Sequence, residues 1–419
     1  MLALLAACAV MPTADVAADR LAWFRNARMG MFIHWGPVSL RGTEIGWSRG
    51  SQVPTDEYDN LYKQFNPTAF NADEWMKLAK QAGFRYVVPT AKHHDGFCLF
   101  PSTQSDYSIA STPFHRDIMG EIAQAARRNG IAMCSYYSIL DWHDPNYPKG
   151  SPGGSTDKPN PNMTKHMQTV KAELAQLISD YHIKMVWFDG QWEAPYTRDD
   201  SISLNRYLRA MAPNLIINNR INSTKLEPAD PHGDYGTPEQ EVGAYNVDTP
   251  WETCMTLGDQ WAFRPHDHYK SVDQVIDVLI ETVTGDGNLL LNVGPDSTGQ
   301  IIPEQKALLV GLGDWVHKYG QSIYGTRGGP YRNGKWGGAT RKGRTIYFQV
   351  LKWTDGKVTL PALPAKIRSC RALQPNVHVR CESTAEGLTL SVDGPVPAEP
   401  TTVRVDIDKD AWSLGTIQP

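Results

Sequence analysis

From residue 29 to about residue 324 the hydrophobic pattern switches period again and again. Dense apolar, β-branched and aromatic runs at residues 30–34, 86–90, 131–137, 184–188, 215–218 and 289–293 read as short buried strands. Between them, residues 71–83, 116–129, 163–181, 205–211, 272–283 and 304–319 read as helices. Asn71 stands where the first helix needs a cap, and Gly83 and Gly130 stand where two of them must stop. Alternating strand and helix calls for a parallel sheet, and no glycine-rich phosphate loop follows any strand, which argues against a doubly wound sheet. The pattern predicts an α/β fold, a TIM-like (β/α)-barrel that need not be regular.

After residue 324 the helical period stops. Residues 345–352, 357–360, 377–381, 388–392 and 402–407 are short β-type runs separated by glycine and proline, which predicts a small C-terminal β-sandwich. The expected division is a leader and linker at 1–19, a catalytic barrel at 20–327 and the sandwich at 328–419. Residues 144–161, rich in Pro, Gly and Ser, follow a strand end and read as a long loop at the barrel mouth, either a lid or a substrate rim.

A length of 419 residues allows one large and one smaller domain. Apolar content of 41%, charged content of 21% and a net charge of −4 give no basic stripe, so nucleic acid is not an expected partner. Thirteen Trp and seventeen Tyr fit carbohydrate handling and equally fit an aromatic core. No C-x-x-C pair occurs, which argues against a cysteine zinc site. Cys370 and Cys381 are close enough in a strand-rich tail to pair in an oxidising compartment, or to stay free. Near the start, Leu5-Ala6-Ala7-Cys8 resembles a bacterial lipobox. It implies export to the periplasm or a lipid anchor at Cys8, the one expected link to a membrane.

Polar residues gather where the strands end. Asp189 closes the run Lys184-Met-Val-Trp-Phe, and Gly190 after it permits a tight turn. An aspartate before a turn is also a common helix cap, but Trp187, Trp192 and Glu193 around it favour a site. His34, His93-His94-Asp95, Tyr136-Tyr137, Asp141-Trp142-His143 and Asn218-Asn219-Arg220 follow other strands, and in a barrel all such ends face one mouth. Alternation along a strand sends His93 and His94 in opposite directions, so one is expected in the pocket and the other bracing the loop. Downstream lie Asp234, Glu239, Glu241 and Glu252. Two carboxylates in unlike environments are what glycoside hydrolysis needs, one to attack or activate water and one to protonate the leaving oxygen.

Gly30-Met-Phe-Ile-His34-Trp-Gly36, Lys92-His-His-Asp-Gly-Phe97, Trp187-Phe-Asp189-Gly190, Trp251-Glu252 and Asn288-Leu-Leu-Leu-Asn-Val-Gly-Pro295 together resemble glycoside hydrolase family 29, the α-L-fucosidases. The resemblance implies a retaining double displacement without metal or other cofactor, through a covalent fucosyl-enzyme intermediate on Asp189. It implies that His34, Trp47, His93, His94, Tyr136, Trp187 and Arg220 bind the fucose of a fucosylated oligosaccharide or glycoconjugate. One departure is Gly46, where many relatives carry Glu before the tryptophan. Glu239 is the expected acid/base, with Glu252 as rival and otherwise a substrate-binding residue; Glu241, Glu44 and Asp234 are further candidates. The His-His-Asp-Gly-Phe-Cys and Trp-Glu-Thr-Cys stretches favour α-1,3/1,4 linkages. Two other readings are a metal-dependent barrel hydrolase using His34, His93, His94 and Asp189, and a catalytically silent fucose-binding lipoprotein.

Overall fold

The computed structural model describes residues 14–152 and 156–419, so the Cys8 segment lies outside the described residues. Eight parallel strands form one curved sheet: β1 Met29–Ile33, β2 Tyr86–Lys92, β3 Ala132–Met133, β4 Ser135–Ser138, β5 Met185–Asp189, β6 Ile216–Ile217, β7 Glu252–Thr256 and β8 Asn288–Val293. Their order is β6-β5-β4-β2-β1-β8-β7, with β3 beside the start of β2. Helices Ala72–Ala82, Ile118–Asn129, Met163–Tyr181, Arg198–Met211, Val272–Thr284 and Pro303–Tyr319 connect the strands and cover the outside. Asn71 caps the first by accepting from the Asp73 and Glu74 amides, and Gly83 ends it in the left-handed region.

The two edge strands β6 and β7 do not bond to each other; the chain at 234–240 runs between them. On one side Asp234 N–H donates to Ile217 O (2.6 Å) and Asn219 N–H to Tyr235 O (2.8 Å). On the other, Glu252 N–H donates to Gly236 O (2.9 Å), Cys254 N–H to Pro238 O (3.1 Å) and Gln240 N–H to Cys254 O (2.9 Å). This irregular strand closes the barrel, and it carries Glu239.

Alternation within the strands sorts the side chains. Phe32, Tyr86, Tyr136, Met185, Trp187 and Leu290 pack inside the barrel, while Val87, Tyr137, Val186, Phe188 and Leu291 pack against the helices. Asp189 continues the inward face of Met185 and Trp187 and stands level with Ser138 of β4. Gly190, at φ 86°, turns the chain at once, and a Cβ there would come within 3.0 Å of the Leu140 amide.

Several elements differ from the sequence expectation, three of them in the barrel sheet and its helices. Cys134 interrupts the run at 131–137, leaving β3 and β4 as separate short strands. The helix expected at 205–211 begins at Arg198, because Thr197 and Asp200 form a reciprocal capping box that starts it over polar residues. β7, with its Glu-Thr-Cys-Met-Thr sequence, was too polar to read as a strand but is wholly buried.

The C-terminal strands form two antiparallel sheets enclosing their own apolar core. The larger contains Arg327–Gly328, Gly337–Lys342, Thr345–Val350, Ile367–Ala372 and Thr401–Ile407; the smaller contains Lys357–Leu360, Val379–Ser383 and Leu388–Val392. Cys370 and Cys381 form a disulfide that joins the two sheets rather than two strands of a hairpin. At the junction with the barrel, buried Arg28 pairs with Asp286 (2.5 Å) and donates to Thr326 O (2.5 Å), while Gly328 N–H donates to Asp286 (2.8 Å).

Candidate active site

At the C-terminal ends of the strands, Phe32, His34, Trp47, His93, His94, Tyr136, Trp187, Asp189, Trp192, Arg220, Glu239 and Trp261 line a cavity of about 350 Å³. Asp189 lies within it. Tyr136 donates its hydroxyl to one carboxylate oxygen (3.0 Å) and Arg220 a guanidinium N–H to the other (2.9 Å). Burial and the Asp189 charge push the Tyr136 phenol well up, so it remains a donor. The second arm of Arg220 pairs with Glu239 at 2.6 Å, so one cation bridges an acid on rigid β5 and an acid on the irregular closing strand. Trp187 underlies this guanidinium at 4.6 Å.

The histidines are neutral at physiological pH. Burial brings His34 down to about 3 and His94 to about 4, in both cases outweighing the nearby Asp189 charge, and burial lowers His93 as well. His94 Nε2 lies 3.5 Å from Asp189, while its Nδ1 is 2.7 Å from Ser138 Oγ. Because Ser138 donates to Leu140 O (2.6 Å), it accepts from His94 Nδ1–H, which leaves His94 Nε2 as an acceptor. The same logic applies to His34: Asn292 donates to Trp261 O (2.7 Å) and accepts from His34 Nδ1–H (2.7 Å), so Nε2 is again an acceptor. Two neutral imidazoles with free lone pairs suit sugar hydroxyls.

A cavity with this pair of acids is matched by kinship. A model of the α-L-fucosidase family matches residues 9–321. The chain belongs to that family. It is 32% identical to the α-L-fucosidase of Branchiostoma floridae over 86% of each chain, and 31% identical to human tissue α-L-fucosidase over 80% of this chain and 77% of the other. Among solved structures, α-L-fucosidase isoenzyme 1 from Paenibacillus thiaminolyticus has a TM-score of 0.86 at 30% identity, covering 94% of this chain and all of that one. A Bacteroides thetaiotaomicron α-L-fucosidase, solved as a trapped covalent intermediate with 2-fluoro-fucosyl fluoride in a glutamate-to-glutamine mutant, gives 0.84 at 27%, covering 93% and 96%. The chain is accordingly an enzyme, a glycoside hydrolase of the α-L-fucosidase kind.

Within this fucosidase, several sequence expectations need correction. Glu252, expected at the substrate, does not line the cavity: it is fully buried among barrel residues, accepting from Tyr86 and from the Trp187 indole (3.1 Å), so it holds the pocket floor from beneath. Burial raises its carboxyl to about 8. His93 and His94 both line the cavity, because the strand ends at Lys92 and residues 93–96 form a turn in which alternation no longer applies. Asp189 is the last residue of a strand and not a helix cap; Thr197 caps the following helix. Glu193 accepts from Trp142 (3.2 Å) and Tyr147 and serves as a brace. Glu44 accepts from the Trp261 (2.8 Å) and Ala262 (3.0 Å) amides, fixing the wall that Trp261 provides. Gly46 is also explained: it sits at φ 70°, where a Cβ would lie 2.9 Å from His93 Nδ1.

Phe32 and Trp261 line the cavity without having been singled out. Phe32 shares a face with His34 two residues on, so period-two reading could have found it. Trp261 sits on a loop with no periodic signal. The four residues of the metal-hydrolase reading do not bring ligand atoms together; among the described residues, the one such group is Asp259, Asp267 and His268, outside the cavity lining.

Proposed function

We propose that this protein is an exo-acting, retaining α-L-fucosidase in which Asp189 is the nucleophile and Glu239 the acid/base. The observation that carries the reading is the pair of acids on either side of one guanidinium, Asp189 at 2.9 Å and Glu239 at 2.6 Å. Asp189 attacks the anomeric carbon and loses its charge as the ester forms. Glu239 protonates the departing oxygen and becomes a carboxylate in the same step. Arg220 faces one anionic partner before and after, so no charge is stranded in the half-buried site. In the second half Glu239 takes a proton from water, which displaces Asp189 with net retention. The covalent intermediate trapped in the Bacteroides relative supports this two-step course. A cavity of about 350 Å³ is at the small end of ligand pockets, roughly 300–1,000 Å³, and suits one terminal sugar.

Glu239→Gln is expected to slow natural fucosides far more than nitrophenyl fucoside, whose leaving group needs no proton, and azide, which needs no base, is expected to restore its rate, giving a fucosyl azide of unchanged anomeric configuration. Asp189→Gly is expected to lose roughly 10⁴-fold or more in kcat. Near-normal turnover by Asp189→Gly, or a Glu239→Gln enzyme indifferent to leaving group, overturns the assignment. The proposed linkage is α-1,3/1,4, supported by the likeness of the Cys98 and Cys254 stretches to that branch; a panel of defined fucosylated oligosaccharides tests it.

The proposed location is outside the cytoplasm, in the periplasm or anchored through Cys8. The Cys370–Cys381 disulfide suits an oxidising compartment and supports export. Cys8→Ser should shift the protein from the membrane fraction to the soluble periplasm; cytosolic recovery of both forms would refute export.

A further inference from the structure

Along residues 236–240 the closing strand follows a parallel ladder against β7, and the ladder changes character at its last rung. Cys254 N–H donates to Pro238 O (3.1 Å), and Gln240 N–H donates to Cys254 O (2.9 Å). In a regular parallel ladder the next rung would join Thr256 N–H to the main-chain carbonyl of Gln240. Gln240 instead adopts φ 56°, in the left-handed region that a non-glycine residue seldom enters. Its side chain supplies the rung: Oε1 accepts from Thr256 N–H (3.3 Å), and Nε2 donates to Thr256 Oγ1 (3.1 Å). The Thr256 hydroxyl donates onward to Gly258 O (2.5 Å), so its oxygen is available to accept from the carboxamide.

The consequence falls on Glu239, the residue before the turn. Its carboxylate pairs with Arg220, but its side chain is 39% exposed, so packing does little to fix it and the backbone beneath decides where it points. A left-handed residue persists only where its surroundings over-determine it, and the carboxamide does so by gripping both the amide and the hydroxyl of a buried threonine on β7. We infer that Gln240 is a positioning residue whose side chain clasps the end of β7 and thereby aims Glu239 at the leaving oxygen; this rests on Glu239 being the acid/base. A general acid is sensitive to such aim, because it must stand within hydrogen-bond reach, about 2.6–3.2 Å, of the atom it protonates.

The test compares an α-L-fucosyl disaccharide, whose leaving oxygen needs a proton, with nitrophenyl fucoside, whose leaving group does not. The readout is the ratio of their kcat/KM values, which a mere loss of folded protein leaves unmoved because it lowers both alike. Gln240→Ala is expected to lower the ratio about 10-fold, a part of the roughly 10²- to 10⁴-fold that a general acid supplies. Gln240→Gly removes the clasp but suits the left-handed turn, and it is expected to lower the ratio at least as much. A wild-type ratio in either variant, including equal losses on both substrates, overturns the clasp. Glu239→Gln measured alongside separates the two readings. Where it shows the leaving-group dependence and Gln240→Ala does not, the clasp alone falls; where neither shows it, the assignment of Glu239 falls too.

Discussion

Glu252 shows what a residue can do for a site it never touches. Its carboxyl fixes the Trp187 indole, on which the Arg220 guanidinium rests, and Tyr136 stacks on the same ring at 5.6 Å. With its folded value raised to about 8 against an ordinary 4.5, the fold favours the protonated form. Its contribution to stability is full below pH 4.5 and declines as pH rises through about 8, because the unfolded chain releases the proton first. Glu252→Gln imitates the protonated acid. Its unfolding free energy should gain on wild type steadily across that window, with a slope of at most about 1.4 kcal/mol per pH unit in denaturant titrations, whereas a pH-independent difference would contradict the burial argument. In the sequence Glu252 looks like a catalytic rival, because a Trp-Glu pair is legible there but the direction its strand faces is not. Asp189, His34, Tyr136 and Arg220 line one cavity, each on or just beyond the end of a strand, a position that is legible in the sequence.

The closing strand at 234–240 was invisible to pattern reading, because Gly236 and Pro238 deny it any strand signature and its hydrogen bonds are shared between two neighbours. Its anchor is Asp234, whose largely buried carboxylate pairs with Arg20 and with Arg209 (2.8 Å) and accepts from the Ile217 amide (2.9 Å). Asp234→Ala leaves two guanidinium groups facing each other without a counter-charge. A loss of about 2–4 kcal/mol is expected, slightly below that for a fully buried pair, together with reduced kcat as Glu239 loses its register five residues downstream. Thermal melts and kcat measured on one preparation check this, and an unaltered melting temperature would show that the anchor lies elsewhere. Helix ends were more legible, as at Asn71 and Gly83, since capping depends on a few adjacent residues.

At the scale of the molecule, the barrel and sandwich were both readable from the change of period near residue 324, but the pairing of the two C-terminal sheets was not, since Ile367–Ala372 alternates with little apolar content. The Cys370–Cys381 bond ties those sheets at a distance from the cavity. Replacing both cysteines by serine should cost about 2–3 kcal/mol of sandwich stability, seen by calorimetry, and leave kcat/KM on an aryl fucoside within about twofold. A matching loss of activity would mean that the two domains communicate. The junction has a consequence in time. β1 pairs with β8 from Met29↔Leu289 to Ile33↔Val293, and Arg28 waits for Asp286 and Thr326. At about 5–20 residues per second of synthesis, the first strand remains without one of its two neighbours for on the order of tens of seconds. Throughout that interval the nascent chain is an open arc with an unpaired edge, a client for chaperones before it is a catalyst.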